Sequence, residues 1–296
     1  DHALLPGFTR RFIATDDGPV LTLTAGRGPA LLLLHGDPQT HLCWHRVAPA
    51  LTDSFTVVLT DLRGRGESHK PGAGDNGRAY SKRAIGQEQV EVMEALGHHR
   101  FHLAGHDRGG RVARRMALDH PDRVLSLMVL DIVPALDFYE RADSRIAQDY
   151  FYFFFLTQPH PLPENLIGGN PMGFMENILT GLGTGRGFYE ARALQAYLAA
   201  ATTAAAITAM CECFRAGLAH DRLHDLADRQ AGRQISCPTR IFWGTKGVVG
   251  QNFDMPEIWK TWAPQARFHP TDCGHFIPEE APEAVIQALR DSLPSR

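Results

Sequence analysis

A strand-to-helix turn at residues 101–121, FHLAGHDRGGRVARRMALDHP, constrains the fold of this chain more than any other segment. The apolar run at 101–104 predicts a buried strand, and residues 110–120, followed by Pro121, predict a helix. Between them, GHDRG has the Gly-x-nucleophile-x-Gly spacing, in which small flanking residues permit a sharp turn that presents the central side chain above the sheet. That side chain is a carboxylate, Asp107, which is either a nucleophile or only the cap of the following helix.

Short apolar runs recur on both sides of this turn. They lie at 30–34, 55–60, 125–130 and 239–244, with a final candidate at 266–269, and helix-length segments such as 81–96 separate them. Runs of this length, bounded by glycine or aspartate, predict an α/β fold with a mostly parallel sheet and helices on both faces. A closing helix is predicted from Pro282 through Leu293.

The middle of the chain has a different composition. Residues 137–232 contain aromatic clusters, glycine turns and an alanine-rich run at 193–210, but no strand-like run. We therefore predict a helical cap domain over 137–232, inserted into a core domain formed by 1–136 and 233–296. The glycine-rich stretch 181–187 follows a predicted helix rather than a strand, which favours a loop of the cap over a phosphate-binding site.

Bulk composition argues against several kinds of protein. The formal net charge of −3 gives no general attraction to nucleic acid or to an anionic membrane surface. No apolar run approaches the roughly 18 residues of a membrane span. The five cysteines have no framework or zinc-site spacing, which suits a reducing cytoplasm. The first residues lack the basic and apolar segments of a secretory signal.

Two further residues complete a catalytic set with Asp107. His275, in DCGHFIPE, follows the last predicted strand and precedes the last helix, where a general base is expected. The acid that orients this base can follow either of two strands, the run at 239–244 or the run at 125–130. The loop after the first, GTKGV at 244–248, has no carboxylate, whereas Asp131 directly follows the second. The predicted order is therefore Asp107, Asp131, His275.

Backbone and arginine groups around Asp107 suggest how a substrate is held. An oxyanion hole is expected from two backbone N–H groups. One belongs to Asp37, which directly follows the His-Gly pair at 35–36, and the other to Arg108. Arg108 and Arg111 lie three residues apart at the start of a helix, so they share a face near the nucleophile. Because a guanidinium fork matches a carboxylate, the two arginines indicate an anionic substrate, unless they pair with acids on the helix surface.

A carboxylate nucleophile favours a particular reaction. It displaces a leaving group from saturated carbon and forms an alkyl ester of the enzyme. Water activated by His275 then attacks the carbonyl carbon of Asp107, with the oxyanion hole stabilising the developing charge. The substrates that this chemistry suits are organic halides and epoxides.

The chain resembles the fluoroacetate dehalogenases, which are haloacetate dehalogenases of the α/β-hydrolase fold. The likeness covers nearly the whole length and rests on HGDPQTHLCWHRVAP, DLRGRGES, GHDRGGRVARRMALDHP, LDIVP, FFLTQPHPLPE, WGTKGVVG and CGHFIPEEAP. It implies a cytoplasmic homodimer with a helical cap and with no cofactor or metal. It also implies that Asp107 is the nucleophile, His275 the base, Asp131 its partner, and Arg108 with Arg111 the clamp for the substrate carboxylate.

The chain departs from the family pattern where the leaving fluoride is bound. The family uses a His-Trp pair and a tyrosine, and these substrate-binding positions fall on Tyr152, Phe153 and Phe214, so at most one donor remains. Losing a donor of this kind costs on the order of 3 kcal/mol. We therefore expect a haloacid dehalogenase that favours chlorinated, brominated or larger substrates. Asp37 replaces the usual aromatic residue, and its carboxylate either repels an anionic substrate, binds a hydroxyl group or faces solvent.

Two other functions remain open. An epoxide hydrolase would use the same aspartate elbow and base, with a cap tyrosine as the acid; the candidates are Tyr150, Tyr152, Tyr189 and Tyr197. The two arginines argue against an apolar epoxide, though not against an epoxy-acid. A non-catalytic protein that binds a small acid would keep the fold but would not need the complete catalytic set.

Overall fold

The computed structural model describes residues 3–292 and contains one eight-stranded sheet. Its strands are β1 (Thr9–Ala14), β2 (Pro19–Gly26), β3 (Ala30–Leu34), β4 (Thr56–Thr60), β5 (Phe101–His106), β6 (Val124–Leu130), β7 (Thr239–Gly244) and β8 (Arg267–Thr271). They lie in the order β1-β2-β4-β3-β5-β6-β7-β8. Strands β3 to β8 are parallel, while β2 pairs antiparallel with both β1 and β4. The predicted mostly parallel sheet is confirmed.

Helices cover both faces of this sheet and fill the chain between β6 and β7. They are α1 (Lys82–Ala95), α2 (Arg108–Asp119), α3 (Ala135–Arg141), α4 (Ser144–Asp149), α5 (Phe151–Phe155), α6 (Leu162–Gly168), α7 (Pro171–Gly181), α8 (Ala191–Ala201), α9 (Ala204–Ala216), α10 (Arg222–Gln230), α11 (Val248–Asn252), α12 (Met255–Trp262), α13 (Ile277–Glu280) and α14 (Pro282–Arg290). Short 3₁₀ segments occupy His41–Trp44, Ala48–Leu51 and Asp75–Tyr80, and a π-helical turn, Gly217–Asp221, joins α9 to α10.

Local sequence explains most of these elements. All five residues of β3 are buried, as a strand covered on both faces requires. The side chain of Ser81 caps α1 by accepting the N–H of Ala84. Pro282 opens the closing helix, which ends at Arg290; Leu293, its predicted end, lies outside the described residues.

The hairpin formed by β1 and β2 is the main element that the apolar runs did not indicate. Five of the six residues of β1 are exposed, because this strand lies at the edge of the sheet. Its residues therefore lack the continuous apolar run that marks the central strands.

Eight helices, α3 to α10, lie between β6 and β7, and we call them the helical insertion. The glycine-rich stretch at 181–187 begins at the last residue of α7, as expected of a loop after a helix. Among the described residues, no single helix is long and apolar enough to cross a membrane; the bent pair Ala191–Ala201 and Ala204–Gln230 passes that test only when both are counted together.

The turn between β5 and α2 depends on close backbone contact. A Cβ atom on Gly105 would lie 2.2 Å from the carbonyl oxygen of Gly109, and a Cβ atom on Gly109 would lie 2.4 Å from that of Leu34. These carbonyls belong to the sheet and to α2, so they have no room to move aside. The two glycines allow the chain to turn between adjacent parallel strands at the centre of the sheet.

We expect Gly109→Ala to lower the free energy of unfolding by about 3 kcal/mol, because the added methyl group would overlap backbone atoms. Urea denaturation followed by circular dichroism measures this change. Gly72→Ala is the matched control, since a Cβ atom there meets nothing within 4 Å. Its effect should stay within about 0.5 kcal/mol. Equal stability of the two variants would contradict the close approach.

Candidate active site

Asp107 lies at the top of the turn, in a strained backbone conformation. Its φ is 47° and its ψ is −116°, a combination that L-residues rarely adopt. Its Oδ1 accepts the backbone N–H of Asp37 at 2.8 Å, which is one of the two donors expected for an oxyanion hole. The other is the N–H of Arg108, which has no acceptor within the helix because Arg108 is the first residue of α2.

His275 and Asp131 lie beside Asp107. Nδ1 of His275 is 2.6 Å from Oδ2 of Asp131, and its Nε2 is 3.7 Å from Oδ2 of Asp107. The other oxygen of Asp131 accepts the N–H of Gly244 at 2.8 Å. The structure therefore brings the three residues together in the sequence order predicted for nucleophile, acid and base.

Burial and charge adjust the protonation of this set. Burial opposes the ionised forms, but the hydrogen bond and charge of Asp131, together with the charge of Asp107, outweigh it and raise the pKa of His275. At Asp107, burial by itself would raise the pKa of the carboxyl group. The charges of His275 and Arg108 outweigh this effect and lower that pKa. Asp107 is thus an anion at neutral pH, as a nucleophile must be.

The loop that carries His275 is held by residues that the sequence patterns did not single out. The ring of His106 contacts the carbonyl oxygen of His275 at 2.8 Å, and burial lowers the pKa of His106 to about 3, so that ring stays neutral. Glu280 accepts the N–H groups of Gly274 and Phe276, each at 2.9 Å. These bonds hold the backbone on both sides of His275.

Arg108 and Asp37 form part of a buried charge cluster. Asp37 accepts two bonds from Arg65, from its Nε and, at 2.8 Å, from its Nη2, and a third from Nε of Arg108 at 3.2 Å. Burial is outweighed by the charges of both arginines, which hold the pKa of Asp37 well below its usual range. Asp37 is only 8% exposed, so its carboxylate does not face solvent. Arg65 was not among the predicted site residues.

Arg111 differs from Arg108 in having no ion pair among the described residues. Its guanidinium carbon lies 5.4 Å from the ring centre of Phe153, and that of Arg108 lies 4.1 Å from the ring centre of Phe214. Burial and the charge of Arg108 lower the pKa of Arg111, which nevertheless remains a cation. Arg111 is thus a positive charge that is available to an anion.

Two adjoining cavities share an aromatic wall. The nucleophile pocket has about 310 Å³ of empty space and is lined by Asp107, His275 and Asp37, together with the apolar side chains of Ile178, Leu182 and Met210. The second cavity, of about 430 Å³, is lined by both arginines. Tyr152, Phe153 and Phe214 line the nucleophile pocket, and the two phenylalanines also line the arginine cavity.

Of the four tyrosines considered as acids, Tyr152 alone lines the nucleophile pocket within residues 3–292. The hydroxyl of Tyr189 donates to the carbonyl of Leu179 at 2.9 Å, and that of Tyr197 donates to Glu279 at 3.2 Å. Tyr150 packs against aromatic rings of the insertion. A group of three or more His, Cys, Asp or Glu placed to hold a metal ion does not occur in the described part of the chain.

Comparison with known proteins identifies the family of the fold. Residues 29–282 match the family model of the alpha/beta hydrolase fold. The chain is 43% identical to a fluoroacetate dehalogenase of Burkholderia sp over 98% of its length and 95% of that protein. It is 32% identical to a soluble epoxide hydrolase of Corynebacterium sp. (strain C12), covering 93% of each.

Among solved structures, ALR0039 from Nostoc sp PCC 7120 superposes with a TM-score of 0.94. It is 43% identical, and the match covers 98% of this chain and 99% of that one. The core sheet, the inserted helices and the turn that carries Asp107 thus occur in a common framework. The chain belongs to the alpha/beta hydrolase family and, within it, to the relatives of fluoroacetate dehalogenase.

Proposed function

We propose that this protein is a hydrolytic dehalogenase of small haloacids, of the haloacetate type, which favours chlorinated, brominated or larger substrates over fluoroacetate. The observation that carries the proposal is the environment of the Asp107 carboxylate. One oxygen accepts the N–H of Asp37, the other lies 3.7 Å from the ring of His275, and the side chains of Arg108 and Arg111 lie in the adjoining cavity. Similarity to the Burkholderia fluoroacetate dehalogenase supports the same class of reaction.

In the first step, Oδ2 of Asp107 attacks the carbon that carries the halogen. The halide leaves with the electron pair of the carbon–halogen bond, and an alkyl ester of Asp107 forms. The unpaired guanidinium of Arg111 binds the substrate carboxylate, and Arg108 contributes the donors that Asp37 does not use. This fixes the reactive carbon next to the nucleophile.

In the second step, Nε2 of His275 takes a proton from water, and the resulting hydroxide attacks Cγ of the ester. Charge develops on Oδ1, which faces the N–H groups of Asp37 and Arg108. The bond between Cγ and Oδ2 then breaks. Oδ2 leaves in the product alcohol, which receives the proton from His275, and the oxygen of the water remains in Asp107. The new carboxyl group of Asp107 releases its proton to solvent and becomes a carboxylate again. Between these two proton transfers, Asp131 stabilises the positive charge on the ring of His275.

The lining of the nucleophile pocket determines which halide leaves readily. Fluoride depends most on hydrogen bonds as charge develops, and Tyr152 is the one hydroxyl among the three positions that the family uses to bind it. Phe153 and Phe214 have no hydrogen-bond donor to offer. Chloride and bromide need less stabilisation, so the apolar lining affects them less.

An epoxide hydrolase is the second candidate, and the position of Tyr152 favours it. In this alternative, Asp107 attacks an epoxide carbon while the Tyr152 hydroxyl gives its proton to the opening oxygen. The 32% identity with the Corynebacterium epoxide hydrolase supports keeping this reaction in the test. The ester hydrolysis that follows would be the same.

The assembly and location of the protein are also proposals. We propose a cytoplasmic homodimer, on the basis of the resemblance and of the five cysteines, all of which are free thiols. Light scattering gives the molar mass in solution, and a monomer mass would contradict the dimer.

We expect the purified protein to release halide from chloroacetate and bromoacetate at least about a hundredfold faster than from fluoroacetate, since two donors are missing. Ion chromatography of the free halide measures this. Asp107→Asn is the blank and should release none. Equal rates on fluoroacetate would contradict the proposed preference.

Tyr152→Phe separates the two candidate reactions. If the protein is a dehalogenase, the variant should keep chloride release within about tenfold of wild type, because chloride does not require a proton donor. Epoxide opening, by contrast, should fall by about a hundredfold or more. If the protein hydrolyses styrene oxide but releases no halide from fluoroacetate, chloroacetate or bromoacetate, the dehalogenase proposal is wrong.

We expect His275→Gln to release one equivalent of halide and then stop, because the first step does not need the base and the second does. Quench-flow measurement of chloride from chloroacetate gives the burst. Mass spectrometry of the peptide that contains Asp107 should show the added carboxymethyl group. Steady turnover by this variant would show that His275 is not the base.

A further inference from the structure

Glu279 lies at the junction of three segments of the active site. It belongs to α13, four residues after His275, and its side chain is fully buried. Its Oε2 lies 2.5 Å from Nε2 of Gln39, and its Oε1 accepts the hydroxyl of Tyr197 at 3.2 Å. Gln39 is two residues from Asp37, whose N–H binds Asp107, and Tyr197 belongs to α8 of the helical insertion.

No arginine or lysine side chain in the described part of the chain forms an ion pair with this carboxyl group. Arg46 donates to the backbone carbonyl of Glu279 instead, at 2.9 Å. The ring of His45 is 3.8 Å from Oε1, but burial lowers the pKa of His45 and its Nδ1 contacts the carbonyl of Leu42 at 2.8 Å. A buried carboxylate without a cation is costly, so the neutral acid is favoured.

The remaining titratable groups around Glu279 do not supply a positive charge either. They are Cys43, which follows the same loop as Gln39; Tyr189 and Tyr197, from the insertion; and Glu280, on α13. Burial is the main cause that raises the pKa of Glu279 to about 8, and the charge of Glu280 raises it as well. The hydrogen bonds from Tyr197 and Gln39 and the charge of Arg46 act in the opposite direction.

The contact with Gln39 fits a protonated acid. The oxygen of the Gln39 amide is buried and has no partner in its present orientation. A half-turn of this amide brings its oxygen to Glu279, where it accepts the carboxyl proton.

We propose that Glu279 is a positioning residue whose protonated carboxyl group links the oxyanion-hole loop, the loop of the base and helix α8 of the insertion. This inference rests on the proposed function, because Glu279 touches neither substrate nor reacting atoms and acts through Asp37 and His275. When Glu279 ionises, a buried negative charge replaces the donor, and the three segments are no longer held together. Turnover therefore decreases on the alkaline side.

The first test needs no substrate. In the folded protein Glu279 keeps its proton up to about pH 8, whereas the unfolded chain releases it near the ordinary value of 4.5. Its stabilising contribution is complete below pH 4.5 and is lost as the pH rises to 8. Glu279→Gln keeps a donor and an acceptor and cannot ionise. Wild type should therefore lose stability relative to this variant as the pH rises. We expect the difference in melting temperature, variant minus wild type, to be at least about 3 °C larger at pH 8 than at pH 5.

The second test is the pH profile of kcat on the haloacetate that is turned over best. We expect wild type to lose about thirtyfold in kcat between pH 7 and pH 9.5, and Glu279→Gln to lose less than twofold, with KM similar in both. Glu283→Gln is the matched control, since Glu283 is exposed in the first turn of α14. It should behave as wild type in both tests.

Each outcome has a distinct meaning. A difference in melting temperature that does not change with pH would show that Glu279 is ionised in the folded protein and would overturn the proposal. An unchanged alkaline decrease in Glu279→Gln would show that its proton does not govern the site, which also overturns it. If no haloacetate or epoxide is turned over, the proposed function fails, whereas the melting experiment still decides the protonation of Glu279.

Discussion

The close approach of the β5–α2 turn to the end of β3 is the contact on which the rest of the site depends. Without Cβ atoms at Gly105 and Gly109, the backbone can reverse within one residue and leave Asp107 above the carboxyl edge of the sheet. Asp131 follows the neighbouring strand β6, and its N–H continues the ladder to Phe242 of β7 at 2.8 Å. Because parallel strands end at one edge, both carboxylates are delivered to the same place, and the last loop brings His275 to them.

Buried charges of both signs lie around Asp107. Asp37 and Asp107 contribute two negative charges, while Arg65, Arg108 and Arg111 contribute three positive ones. Of the three arginines, Arg111 alone has no ion pair among the described residues, and the buried pair of Asp131 and His275 lies on the other side of Asp107. Arg65 compensates the negative charge that Asp37 introduces next to Arg108.

The sequence could predict the sheet, and the grouping of Asp107, Asp131 and His275 at its edge, because both depend on local patterns. The strand runs, the glycine spacing around Asp107, and the choice of Asp131 over a loop without carboxylates all follow from neighbouring residues. The partners of Asp37 could not be predicted in this way, since Arg65 is 28 positions away and its side chain meets Asp37 only in the folded protein. Glu279 was also missed, because it and its two partners, Gln39 and Tyr197, lie in three separate segments of the chain. The exposed strand β1 was missed because it lacks an apolar run.

The stacking of the arginines on aromatic rings joins the core to the helical insertion. Arg108 and Arg111 belong to α2 of the core, whereas Phe214 and Phe153 belong to α9 and α5 of the insertion. Movement of the insertion away from the core would separate cation from ring and would hydrate both guanidinium groups. The surroundings of both guanidinium groups therefore depend on side chains from two separate parts of the chain, so a substitution in the insertion can change how strongly α2 attracts an anion.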